Sequence, residues 1–126
     1  MNKNVLIVGG DNELNKEVEE LNVHLDGLYY LHPVAENELT EKVLEFKPIC
    51  LLIDSLLLQN EGKEFFHALE KNQVSHLLPI ILLINDPESD ELSHLLEHGM
   101  TDFITKPLKS KELIYRLQLL TKRTPK

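Results

Sequence analysis

The sequence predicts an α/β fold built on a single doubly wound, five-stranded parallel sheet, and three observations carry that prediction. The runs Val5–Val8, Ile49–Ile53 and Ile80–Ile84 are apolar at every position, as strands are when helices cover both faces of a sheet. The segments between such runs repeat apolar residues at three- and four-residue spacing, the period of a helix with one buried face. Glycine, proline or an acid stands at nearly every junction, where a chain must change direction.

Taken in order, the first strand, Val5–Val8, runs into Gly9-Gly10-Asp11. From Asn12 onward Leu14, Val18, Leu21 and Leu25 recur at helical spacing, and Asp26-Gly27 supplies the stop. Leu28–Leu31 is a second, weaker strand, since two tyrosines sit in it. Leu39, Val43, Leu44 and Phe46 mark the second helix, broken by Pro48. The third strand, Ile49–Ile53, ends at Asp54, and Gly62 then precedes Phe65, Phe66 and Leu69 of a third helix. Pro79 opens the fourth strand, Ile80–Ile84; Leu92, Leu95 and Leu96 mark a fourth helix stopped by Gly99. Phe103-Ile104 is a minimal fifth strand, and Leu113, Ile114, Leu117 and Leu120 make the last helix amphipathic. The alternation points to β/α units layered on one sheet. No repeat, low-complexity tract or long linker interrupts it, so residues 1–122 are expected as one domain, with 123–126 a tail or the start of a linker.

The bulk properties agree and narrow the function classes. A chain of 126 residues buries a core without staples. Its apolar runs fall far short of the ~20 residues that span a bilayer, so no membrane segment is expected. No signal peptide is visible. One cysteine, Cys50, precludes an intrachain disulfide, and the expected compartment is the cytoplasm. Cys50 lies inside an apolar run and reads as a small buried hydrophobe. The formal net charge of −8 repels phosphate backbones, which argues against nucleic-acid binding by this domain alone.

In open parallel sheets, ligands bind at the carboxyl ends of the strands, where the strand order reverses. That rule selects Gly9, Gly10 and Asp11 after the first strand, Asp54 after the third, Ile84 and Asn85 after the fourth, and Lys106 after the fifth. The VGGDN turn lacks the three-glycine spacing of a dinucleotide site. His94 and His98 stand four residues apart and could chelate zinc, but no third ligand is evident and a solvated helix face explains them as well.

Two motifs, LLIDSLLLQNEG around Asp54 and GMTDFITKPL around Lys106, make the chain resemble the receiver domain of bacterial two-component response regulators, from Asn4 to about Lys122. The resemblance implies the flavodoxin-like (βα)5 fold with strand order 2-1-3-4-5. It also implies a signalling module rather than an enzyme, partnered by a sensor histidine kinase, another signalling protein or a C-terminal output domain absent from this chain. Carried over by position, Asp54 matches the phosphoacceptor, Lys106 the lysine that contacts the phosphoryl group, and Phe103 the aromatic switch residue. Pro107 matches a proline whose preceding bond is usually cis, and the Leu56 backbone carbonyl matches a metal ligand.

The departures from the family pattern bear directly on chemistry. Receivers carry two adjacent acids after the first strand, where this chain has Gly9 and Gly10. They carry Thr or Ser at the end of the fourth strand, where it has Ile84. The proline usual four residues past the phosphoacceptor is Leu58. Magnesium wants six oxygens in near-octahedral array, and of the acids that would supply them only Asp54 is certain. Asp11 could reach inward only if the glycine loop bends unusually. Loss of the ion is expected to slow phosphoryl transfer by on the order of 10³-fold or more. Ile84 has no hydroxyl for a phosphoryl oxygen and is expected to pack near Phe103, with Asp54 paired to Lys106 at rest.

In the winged-helix branch of the family, the face of helix four, strand five and helix five forms a dimer through ion pairs. Asp102, Glu112 and Arg116 match two acids and a basic partner there, while Leu92 stands where a basic residue is usual. Exposed pairs contribute ~0.2–1 kcal/mol each, so apolar contact by Leu92 or Leu119 would have to carry a homodimer on this face. The expectation is therefore an atypical receiver that acts by docking and needs no cofactor, binding Mg2+ only if its site is competent. Two other readings stay open: a working receiver phosphorylated on Asp54 with Asp11 rescuing the metal, and a small-anion binder using the Gly9-Gly10 loop and Lys106. A flavin electron carrier is disfavoured, since no Ser/Thr-Gly phosphate loop follows the first strand and the chain has no tryptophan.

Overall fold

A computed structural model describes residues 3–9, 12–55, 78–85 and 102–123. The third and fourth helices of the sequence reading lie outside these residues. So do Gly10, Asp11, Leu56, Leu58, Leu92, His94 and His98.

Five strands, β1 (Asn4–Val8), β2 (Tyr30–Val34), β3 (Cys50–Asp54), β4 (Ile80–Ile84) and β5 (Asp102–Thr105), form one sheet in the order β2-β1-β3-β4-β5. Every neighbouring pair is parallel. This is the doubly wound arrangement with the order expected from the resemblance. Three described helices accompany it: α1 (Asn12–Leu25), α2 (Leu39–Phe46), entered through a 3-10 turn at Glu36–Glu38, and the C-terminal helix α3 (Ser110–Arg123).

The apolar side chains of the sheet divide by alternation between its two faces. One cluster joins Val5, Ile7, Leu52, Leu83 and Ile104 to Leu14, Val18, Leu21 and Leu25 of α1 and to Leu113, Leu117 and Leu120 of α3. The other joins Leu6, Val8, Leu51, Ile53, Leu82 and Ile84 to Leu39 of α2, with Val43 and Phe46 packed beside them. β3 and β4 are buried at every position, and apart from Asp54 at the end of β3 every residue in them is apolar. Cys50 is buried as expected, and burial pushes its thiol well above the ordinary range.

The second strand is displaced from its predicted place. It starts at Tyr30 and runs to Val34, where Leu28–Leu31 was expected. Leu28 instead closes the end of α1, its N–H donating to the Leu25 carbonyl at 2.9 Å, and it stays half exposed. Asp26 and Gly27 both adopt positive φ, 49° and 80°, so the turn takes one residue more than a glycine stop alone. Pro33 falls inside the strand because β2 is an edge, where a missing N–H breaks no ladder bond.

At the amino end of the sheet, Asn4 ties three elements together. Its amide donates to the Phe46 carbonyl at 3.1 Å, and its Oδ1 accepts from His32 Nε2 at 2.9 Å. The His32 ring stacks on Phe46 with centroids 4.3 Å apart. On the side of α1, the Asn22 amide accepts from Leu31 N–H at 2.8 Å and donates to the Leu31 carbonyl at 3.1 Å.

Candidate functional site

The strand register brings the selected residues to one end of the sheet. Val8 lies beside Ile53, Asp54 beside Leu83, and Ile84 beside Thr105. The residues that follow β1, β3, β4 and β5 therefore converge at the carboxyl edge.

Asp54 is the last residue of β3 and is wholly buried. An isolated carboxylate would not tolerate that position, because burial without a counter-charge costs several kcal/mol. Lys106 supplies the counter-charge: its Nζ lies 2.5 Å from Asp54 Oδ2, and its side chain is 16% exposed. The lysine starts from the end of β5, two strands and roughly 10 Å from β3, and its long stem spans the end of β4. Its backbone is fixed, with the N–H donating to the Ile84 carbonyl at 2.8 Å. The Lys106-Pro107 bond is cis, as the resemblance implies.

Ile84 is 4% exposed and belongs to the cluster against which Phe103 packs, half-buried. Phe103 and Thr105 share one side of β5, and Ile84 lies directly across from Thr105. The aromatic and the isoleucine thus sit in one apolar neighbourhood. Gly9 follows β1 with φ 85°, a conformation that residues with a Cβ adopt only under strain. The other described loop residues at this edge, Ser55 and Asn85, add no second carboxylate.

Of the remaining candidates, Gly10, Asp11 and Leu56 lie outside the described residues. Glu112, Arg116 and Leu119 are partly exposed on α3, with Glu112 and Arg116 one turn apart. The backbone of Asp102 opens β5, and Leu92 lies outside the described residues. Sequence reasoning missed Asn4, Asn22 and His32, whose side chains knit the elements together away from the site. Their only signal was a polar residue within or beside an amphipathic element.

Comparison with known proteins agrees with this geometry. The family model of the response regulator receiver domain matches residues 5–118. The chain belongs to that family. It is 29% identical over 122 residues to the phosphate regulon transcriptional regulatory protein PhoB of Pseudomonas aeruginosa, covering 97% of this chain and 53% of that protein. It is 28% identical over 118 residues to the hybrid signal transduction histidine kinase D of Dictyostelium discoideum, covering 92% of this chain and 7% of the kinase. The chain thus spans about half the length of the phosphate regulator. Among solved structures, the chemotaxis response regulator CheY4 of Vibrio cholerae superposes with a TM-score of 0.74 at 20% identity, covering 95% of this chain and 99% of that one. This protein is therefore the receiver domain of a two-component response regulator. Domains of this family are signalling modules that in general bind Mg2+ at their phosphorylation site and interact with histidine kinases and output domains.

Proposed function

We propose that this receiver is an interaction module whose phosphorylation site is degraded, so that its output does not depend on phosphorylation of Asp54. The observation that carries the reading is Gly9, at positive φ where the family has an acid, with buried Ile84 where it has a hydroxyl, beside the Asp54–Lys106 pair. A hard dication draws on pooled carboxylates, and here one carboxylate is already neutralised by an ammonium. Position 9 contributes no donor side chain. Among the described residues such a donor set does not suit magnesium.

The readout side supports the same reading. A phosphoryl oxygen beside Ile84 would meet methyl and methylene groups, and an unpaired charge there is strongly penalised. Ile84 offers no hydroxyl for Phe103 to follow inward. Docking would then run through the partly exposed residues of α3, Glu112, Arg116 and Leu119, together with Asp102 and Leu92. The partner is a histidine kinase, an output domain, another signalling protein or a second copy.

A working receiver is the second reading, favoured by Asp54, Lys106 and the cis Pro107 all standing in place. Thermal melting with magnesium separates the two. A competent site at ten times its dissociation constant adds roughly 1.4 kcal/mol of stability, whereas the degraded site is expected to give no shift. Acetyl phosphate with magnesium, followed by intact mass, is expected to leave the protein unmodified. An adduct that Asp54→Asn abolishes at low millimolar donor would overturn the proposal. Gly9→Asp with Gly10→Asp is expected to create magnesium-dependent stabilisation on the same scaffold.

A further inference from the structure

We propose that Asn22 and Pro33 together close the β2 edge of the sheet against strand addition by a second copy of this chain. An edge strand offers a row of unused N–H and C=O groups, and such a row templates pairing with another chain. In a parallel ladder alternate residues turn their peptide groups toward the neighbour. The Tyr30 N–H donates to the Lys3 carbonyl at 2.9 Å, so Tyr30, His32 and Val34 face β1. Leu31 and Pro33 face outward.

Neither of those residues leaves a free donor. The Leu31 N–H and carbonyl are both held by the Asn22 amide of α1, at 2.8 and 3.1 Å. A primary amide presents a carbonyl and an N–H side by side, so the side chain takes the place that a peptide of a sixth strand would occupy. At Pro33 the outward N–H does not exist. Every outward N–H within β2 is therefore either occupied or missing. The blockade comes from two sites remote in sequence, one on a helix and one on the strand. Both are short-range and uncharged, which lets the edge resist pairing at any ionic strength.

The test is the oligomeric state and the exchange rate of one amide. Asn22→Leu keeps the branched side-chain shape and favours the helix while removing both hydrogen bonds, and Pro33→Val restores the outward donor. The full chain carrying both changes is expected to self-associate more strongly than wild type in sedimentation velocity, with new exchange protection along β2. Pro33→Val alone, which keeps the Asn22 clamp, is expected to sediment as wild type. Hydrogen exchange at Leu31 is expected to be slow in wild type and roughly tenfold faster in Asn22→Leu. Should the double variant fail to fold, Asn22→Asp retains the acceptor for Leu31 N–H and should keep that amide protected. Unchanged Leu31 exchange in Asn22→Leu would overturn the clamp. A folded double variant that sediments as wild type at every concentration would overturn the guard.

Discussion

Asp54 and Lys106 form one ion pair, but their surroundings differ, and the two ends respond unequally to substitution. Asp54 is sealed from solvent while the lysine side chain is 16% exposed, so a Lys106 left without its carboxylate can turn outward. Lys106→Met takes the ammonium away from a buried carboxylate and is expected to cost ~3–5 kcal/mol in denaturant unfolding. Asp54→Asn, which keeps a polar group of the same shape, should cost clearly less. His32 gives a second residue-scale expectation. Burial lowers its pKa from 6.5 in the folded state. The unfolded chain therefore binds the proton more readily, and the histidine's contribution is present above pH ~6.5 and lost as pH falls through the lower folded value. The stability gap between wild type and His32→Gln, followed by urea unfolding across pH, is expected to narrow on acidification. Asp54, Lys106 and Ile84 were legible in the sequence because strand ends can be counted. Asn4 and His32 were not, since their partners lie 42 and 28 residues away and no local pattern encodes such a contact.

The elements show where periodicity speaks and where turn chemistry overrides it. β3 and β4 were readable almost to the residue, because burial on both faces makes every position apolar except the functional Asp54. β2 was misplaced because its apolar start, Leu28, belongs to the turn after α1, and because Pro33 disguises a strand that happens to be an edge. Within α2 the two leucines differ sharply: Leu39 is 4% exposed and Leu44 is 73% exposed. Leu39→Ala is expected to cost ~2–5 kcal/mol, and Leu44→Ala to stay within about 0.5 kcal/mol, by thermal or chemical unfolding. The helix ends at Lys47, which adopts φ 48° and ψ 58° and donates its N–H to the Val43 carbonyl. A lysine in that left-handed conformation is strained by ~1–2 kcal/mol. Lys47→Gly is expected to raise stability by up to about 1 kcal/mol, after the greater freedom of glycine in the unfolded chain is subtracted.

At the scale of the whole molecule, the doubly wound order follows from covering both faces of the sheet. The sequence announced that order through motifs rather than through composition. Among the described residues the two apolar clusters lie on opposite faces of the sheet, so the site at its carboxyl edge sits on strands packed on both sides. Self-repulsion from a net charge of −8 works against this packing. Raising salt from about 0.05 M to 0.5 M screens surface charges far more than buried ones. The melting temperature is expected to rise by roughly 1–4 °C as a result, with the buried Asp54–Lys106 pair little affected.

Gly9, at φ 85°, makes the loop after β1 behave as a one-way ratchet. A side chain reintroduced at that position must either endure the left-handed backbone or flip the adjoining peptide, at ~1–2 kcal/mol. An acid placed at position 9 would lower fold stability before it gained any affinity for a cation. Such an acid would be tolerated only where a bound cation repaid the contortion, so metal affinity and fold stability are coupled at this one position.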